Sequence, residues 1–220
     1  MLPEPTLEYV RRRAAEFDEN PQYYGAERTV ELVFRQWPLN VVYEHILTKV
    51  VVLNRLYSTN IFNVYAVAAH IQELDIDARL KRGDDALVGD LAAVRFGEKQ
   101  RTLLSFATKY CSWHAPEHFQ IFDSFVEWLL WEYRRQFSFA SFRRYELRDY
   151  VRFTRVLDEF RSRFKLDSLS RKSLDKFLWI EGVTQWKRLS NAEATDATTT
   201  DATATDELLE ASTASENPLT

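Results

Sequence analysis

Apolar side chains recur at spacings of three and four along most of this chain, and little interrupts them. Ile46, Val50, Leu53 and Tyr57 form one such stripe, and Tyr150, Phe153, Leu157, Phe160 and Phe164 form another. Residues so spaced share one side of a helix, whereas a half-buried strand needs strict alternation. Gly (5) and Pro (6) are scarce in 220 residues. A sheet protein of this length needs more turn residues than that. The pattern predicts an all-α, multi-helix globular domain with short loops and no strand.

Further stripes place the other helices. One is expected over Leu7–Phe17 and one over Ile61–Leu74, with Val64, Ala68 and Ile71 inward. Asp85 can cap a helix holding Leu87, Val88 and Leu91. Lys99–Trp113 puts Leu103, Phe106, Ala107, Tyr110 and Cys111 on one side. Asp123 and Ser170 can each cap a later helix. With 45% hydrophobic residues, a single core is affordable over residues 1–188.

Residues 189–220 read differently. They are rich in Ala, Thr and Asp and lack an apolar period, so they bury too little surface to offset ordering. A disordered acidic tail is expected there. It also distorts the net charge of −4: residues 191–220 hold seven acids and no Lys or Arg. The remainder therefore has 33 − 7 = 26 acids against 29 bases, or +3, which permits a nucleic-acid partner.

The single cysteine, Cys111, excludes an intramolecular disulfide, a Cys-rich zinc site and a four-cysteine iron–sulfur cluster. Its place on an apolar stripe reads as core. His114 and His118 are four apart, but Pro116 between them breaks a helix, so no metal site and no cofactor is expected. No apolar run reaches membrane-spanning length and no signal core opens the chain, so a cytoplasmic protein without a membrane partner is expected.

The chemistry concentrates in FGEKQRTLLSFATKYCSWHAPEHFQIFDSFVEWLL, from Phe96 onward. Gly97 suits a tight turn, Lys99 opens the predicted helix, Pro116 ends it, and Asp123 starts the next. If the two helix beginnings approach each other, an amine meets a carboxylate. A helix N-terminus disfavours an ammonium and so frees the amine as a nucleophile, and it holds a carboxylate ionised. Such a carboxylate can stabilise a developing oxocarbenium ion or orient water. Asp123 taken singly is an N-cap, and Lys99 taken singly is a surface lysine.

This stretch resembles the helix-hairpin-helix DNA glycosylases, particularly their 8-oxoguanine-glycosylase-like branch. Gly97-Glu98-Lys99 resembles the end of the family's hairpin, and Ile121–Val126 its aspartate segment. Asp123 lies 24 residues after Lys99. Upstream, LNRLYSTNIFNVYAVAAHI resembles the turn whose polar residue fills the gap left by an extruded base, here Asn60. The first hairpin glycine is replaced by Arg95. The resemblance spans roughly Val51–Trp131. It implies excision of a damaged or modified base from duplex DNA, in genome repair or in defence against modified foreign DNA. Lys99 and Asp123 would be the catalytic residues. Gly97, Arg101, Lys109, Trp113 and His114 would contact DNA, and Lys99 could add strand cleavage through a Schiff base. A helical DNA- or protein-binding module of the same fold, without catalysis, is the alternative.

Overall fold

The computed structural model describes residues 1–197, with side chains to residue 191. Ten α-helices, one 3-10 turn and one small hairpin make up the described residues. The acidic tail expected over 189–220 lies, from residue 198 on, outside them. Before that point the last helix continues to Ala197, past the boundary expected at 188.

Short polar residues set most helix starts. Thr6 caps α1 (Leu7–Glu19) by accepting from Tyr9 N. Asn20 caps α2 (Pro21–Gln36), with Pro21 in the first turn, where it needs no donor. α3 (Tyr43–Leu56) buries Ile46, Lys49, Val50 and Leu53. The following turn is tied down by Asn54, which bonds the backbone of Ile61 in both directions at 2.9 Å. Asn63 then caps α4 (Val64–Glu73), and α5 is the short Asp77–Lys81. At α6 (Ala86–Ala92) the capping side chain is that of Asp84, not Asp85: Asp84 Oδ1 accepts from Ala86 N at 3.2 Å.

The expectation of a strand-free chain fails in one place. Ala93–Phe96 (β1) and Lys99–Thr102 (β2) pair antiparallel, with Phe96 opposite Lys99. Gly97 takes φ +64° as the first of the two turn residues, a position where a side chain is strained and glycine is not. β2 is wholly exposed, so it lacks the half-buried alternation by which strands are read from sequence.

α7 (Leu104–His114) begins only after β2, and a non-helical segment leads from it to α8 (Ser124–Phe137). A 3-10 turn (Arg144–Arg148) precedes α9 (Tyr150–Arg163), which Asp149 caps. Ser170 caps α10 (Arg171–Ala197) through Ser173 N at 3.0 Å.

One core joins these elements. Phe106, Tyr110, Phe119, Leu129, Tyr133, Phe153, Phe160 and Phe177 are all essentially inaccessible. α10 braces two parts of it. Against α1, the buried Glu181 accepts from Tyr9 Oη at 2.9 Å and Arg13 Nε at 2.8 Å. Against α8 it comes close enough that a Cβ on Gly182 would lie 2.9 Å from the Phe125 carbonyl oxygen. No helix among the described residues is long and apolar enough to cross a membrane.

Candidate functional site

The amine nearest Asp123 belongs to Lys109. It lies on the second turn of α7, 4% exposed, and its Nζ donates to Ser105 Oγ at 2.6 Å. Ser105 is four residues earlier, one turn back on the same side of the helix. Nζ also stands 3.7 Å from Asp123 Oδ2 and 6.0 Å from the centre of the Tyr57 ring. Burial lowers the Lys109 pKa, and the Asp123 carboxylate only partly opposes this.

Asp123 divides its two oxygens. Oδ1 accepts from Phe125 N at 3.1 Å and Val126 N at 3.0 Å and so caps α8. Oδ2 is left toward Lys109. Capping and pairing therefore coexist in one side chain, whose backbone is extended (φ −151°, ψ 179°) as an N-cap requires.

The segment that delivers Asp123 is clamped from three directions. Thr108 Oγ1 accepts from Phe122 N at 3.1 Å. Tyr150 Oη accepts from Gln120 N at 2.8 Å and donates back to Gln120 O at 3.2 Å. Asp175, from α10, accepts from Gln120 Nε2 at 2.9 Å and Ile121 N at 3.2 Å. Asp175 is buried, and that burial pushes its carboxyl up to about 7 against the pull of those two bonds. Asp123 sits at the end of this clamp rather than on a free loop.

Beyond Tyr57 lie Trp113 and Lys172. The Tyr57 and Trp113 rings meet edge to face at 6.4 Å, and Lys172 Nζ stands 5.0 Å over the indole. Lys172 is in turn paired with the buried Glu27 of α2, which also meets Lys176.

Lys99 is placed elsewhere. It is an exposed residue of β2 rather than the first residue of a helix, so no helix N-terminus acts on it. Its expected partner Asp123 is instead joined to Lys109. Gly97 turns a β-hairpin and not a helical one, and Arg101 faces Val94 across that hairpin, exposed. Lys109, expected at a phosphate, is interior. His114 is also turned inward: its Nε2 lies 3.2 Å from the buried Lys49 amine, and burial keeps its pKa well below the ordinary histidine value. Trp113 is half-buried under Lys172. Asn60 is exposed in the α3–α4 turn with φ +53°, beside the exposed Phe62.

Sequence reasoning missed Ser105, Tyr57 and Asp175. Ser105 and Lys109 did carry a signal: they are polar residues at i and i+4 flanking the apolar stripe of α7. Asp175 carried none, because nothing local links α10 to residues 120–121.

No solved structure matches the chain significantly. An uncharacterized protein of Haemophilus influenzae is 44% identical over 140 residues, which is 63% of this chain and 67% of that relative. A family model described as HI_0787_N, N-terminal domain, matches residues 8–118, from α1 to just past the end of α7. The matched stretch contains Lys109, Tyr57 and Trp113 and stops short of Asp123. On that match and that relative, the chain belongs to the HI_0787_N family.

Proposed function

We propose that the chain excises a damaged or modified base from duplex DNA, with Lys109 rather than Lys99 as the amine and Asp123 as the carboxylate. The observation that carries this reading is the buried Lys109 amine, 3.7 Å from Asp123 Oδ2. An enclosed ammonium is costly to keep, and a lowered pKa makes its neutral, nucleophilic form accessible.

In this mechanism the base leaves with the electron pair of its bond to the sugar C1′ and takes up a proton. Asp123 stabilises the positive charge that develops on the sugar. The neutral Lys109 nitrogen then forms a bond to C1′, and proton loss and ring opening give a Schiff base. If the amine stays out, water attacks C1′ and an intact abasic site results. Tyr57 and Trp113 supply aromatic faces for an extruded base, and Asn60 with Phe62 stand ready to fill its place in the stack. Tyr57 covers the amine, so its ring must move for a base to enter.

The enclosure itself favours a second reading. A pair this buried can be purely structural, and the chain would then be a nucleic-acid- or protein-binding module without catalysis.

One experiment separates the two readings. Purified protein is incubated with duplexes carrying 8-oxoguanine, uracil, an alkylated base or glycosylated cytosine. Alkali-sensitive sites on at least one duplex, lost in Lys109→Gln and Asp123→Asn but kept in Lys99→Gln, support excision. Borohydride trapping on Lys109 identifies the Schiff base. Binding without cleavage on every duplex leaves the binding module, and loss of activity in Lys99→Gln alone would return the role to Lys99.

A further inference from the structure

The far end of α8 holds a feature that the excision chemistry does not use. An open cavity of about 630 Å³ is lined by Arg134, Arg135, Ser138, Ala140 and Ser141. The Arg134 guanidinium lies over an edge-to-face pair of rings, 4.8 Å from the centre of Trp131 and 5.7 Å from that of Phe142. Its Nε is buried with no hydrogen-bond partner, and Arg134 makes no ion pair among the described residues. A planar cation held against aromatic faces, whose terminal amines have no bond among the described residues, is pre-organised for a planar or tetrahedral oxyanion.

The other lining groups add to this. Among the described residues Arg135 pairs only with Glu132, at 3.1 Å, and its own side chain is 61% exposed, so that pair is weak and exchangeable. Ser138 ends α8 in the left-handed conformation (φ 49°) and turns the chain around the cavity. Ser141 is tied down by its carbonyl, which accepts from Arg152, leaving its hydroxyl for other use. Residues 134–165 hold ten Lys or Arg against four acids, Glu146, Asp149, Asp158 and Glu159. The C-terminus of a helix repels anions with about half a charge. Two adjacent guanidinium groups outweigh it.

We propose that this cavity binds a backbone phosphate of a nucleic acid, through the Arg134 fork, Arg135 and the hydroxyls of Ser138 and Ser141. The proposal rests on nucleic acid being the partner, as in the reading above, but not on excision. Arg134 is eleven residues, three full turns, beyond Asp123. It therefore falls on the same side of α8 at roughly 16 Å, a span of about five base steps of duplex.

The test measures binding of an unmodified 20-base-pair duplex by fluorescence anisotropy over a salt series. Each phosphate that the protein no longer neutralises should reduce the slope of log K against log salt by about 0.9. Arg134→Gln should show that reduction with roughly tenfold weaker binding at low salt. Arg134→Lys should keep the slope, because it keeps the charge, and lose part of the affinity. Because Arg134 also packs on Trp131, the pair Arg135→Gln and Ser141→Ala provides a peripheral variant whose fold is safe. It should reduce slope and affinity in the same direction. In a second arm, millimolar inorganic phosphate or the duplex is added while the Arg134 Nε–H resonance is followed by NMR, and the duplex should shift it.

Unchanged slopes in folded Arg134→Gln and in the peripheral variant overturn the pocket. A resonance shifted by inorganic phosphate but not by duplex overturns the assignment to nucleic acid, as does wild-type protein that binds no duplex. A reduced slope in Arg134→Gln with no cleavage on any modified duplex upholds the pocket while removing the excision reading. Cleavage with unchanged slopes does the reverse.

Discussion

Asp175 holds Gln120 across the width of the fold: its Oδ1 accepts from the glutamine amide at 2.9 Å, 55 residues away in the chain. The same oxygen accepts from Ile121 N. Through these bonds α10 sets where the aspartate-bearing segment lies, and the carboxyl doing so is buried and pushed up to about 7.

A pH dependence follows from that shift. The native state holds a proton on Asp175 that the unfolded chain, with an ordinary carboxyl near 3.8, has already released. The native form thus binds more protons between about pH 4 and 7, and stability from this group falls as pH rises through that window. Its slope is at most about 1.4 kcal/mol per pH unit. Asp175→Asn keeps an acceptor and removes the titration. Urea unfolding from pH 4 to 8 should give the variant a flatter profile, so that its stability relative to wild type improves toward pH 7. Parallel profiles would show that Asp175 stays ionised in the native protein.

Lys109 and Asp123 should be strongly coupled. Asp123→Ala leaves a buried ammonium without its carboxylate and removes the α8 cap, together about 3–5 kcal/mol. Lys109→Met replaces the cation with an apolar chain of similar length and should cost clearly less. The double variant should be much more stable than the sum of the two single effects predicts. A coupling energy near zero in this double-mutant cycle, measured by urea unfolding, would mean the 3.7 Å approach contributes nothing.

Lys49 is a buried cation with a different task. Its Nζ donates to Trp37 O and Leu39 O, both at 3.1 Å, and to Asn40 Oδ1 at 2.7 Å, fastening the α2–α3 loop. Burial lowers its pKa from 10.5 to about 8. The native state therefore releases this proton before the unfolded chain does, and this group's contribution to stability rises with pH between about 8 and 10.5. Lys49→Met takes the amine from Trp37 O and Leu39 O, while Asn40 Oδ1 keeps the Tyr110 hydroxyl at 2.6 Å, and should cost about 2–4 kcal/mol. The gap between wild type and variant should widen over that alkaline range, as followed by thermal unfolding.

Gly182 is where α10 comes nearest to α8. An added Cβ would meet the Phe125 carbonyl carbon at 3.1 Å as well as its oxygen at 2.9 Å, and backbone at both points cannot yield cheaply. Gly182→Ala should therefore destabilise by about 1–3 kcal/mol, although alanine is the better helix former. A rise in melting temperature would show that the helices separate without penalty.

Most helices are legible in the sequence because their stripes are apolar. α1, α3, α4, α8 and α9 fall where the spacing of Val10 and Ala14, Ile46 and Val50, or Phe153 and Leu157 places them. α2 is hidden because its buried side is Glu27, Val30 and Phe34, and Glu27 reads as solvent-facing until Lys172 and Lys176 are brought to it by the fold. The amine of the candidate site is misplaced for a related reason. Lys99 reads as a helix start because Gly97 precedes it, but Gly97 turns a hairpin whose second strand, with Lys99 in it, is exposed. Lys109 reads as a surface residue because lysines usually are, and only the packing of Tyr57 and Ser105 around it shows otherwise. Asp123 is legible, since its capping role is local.

Synthesis of this chain runs from α1 toward α10, at about 5–20 residues per second. Lys109 and Asp123 emerge long before Asp175 and Gly182, yet these two meet the segment that leads to Asp123 and the helix it caps. A nascent chain stalled before α10 would therefore carry the amine and the carboxylate without their registration, which would arrive late, with the closing helix.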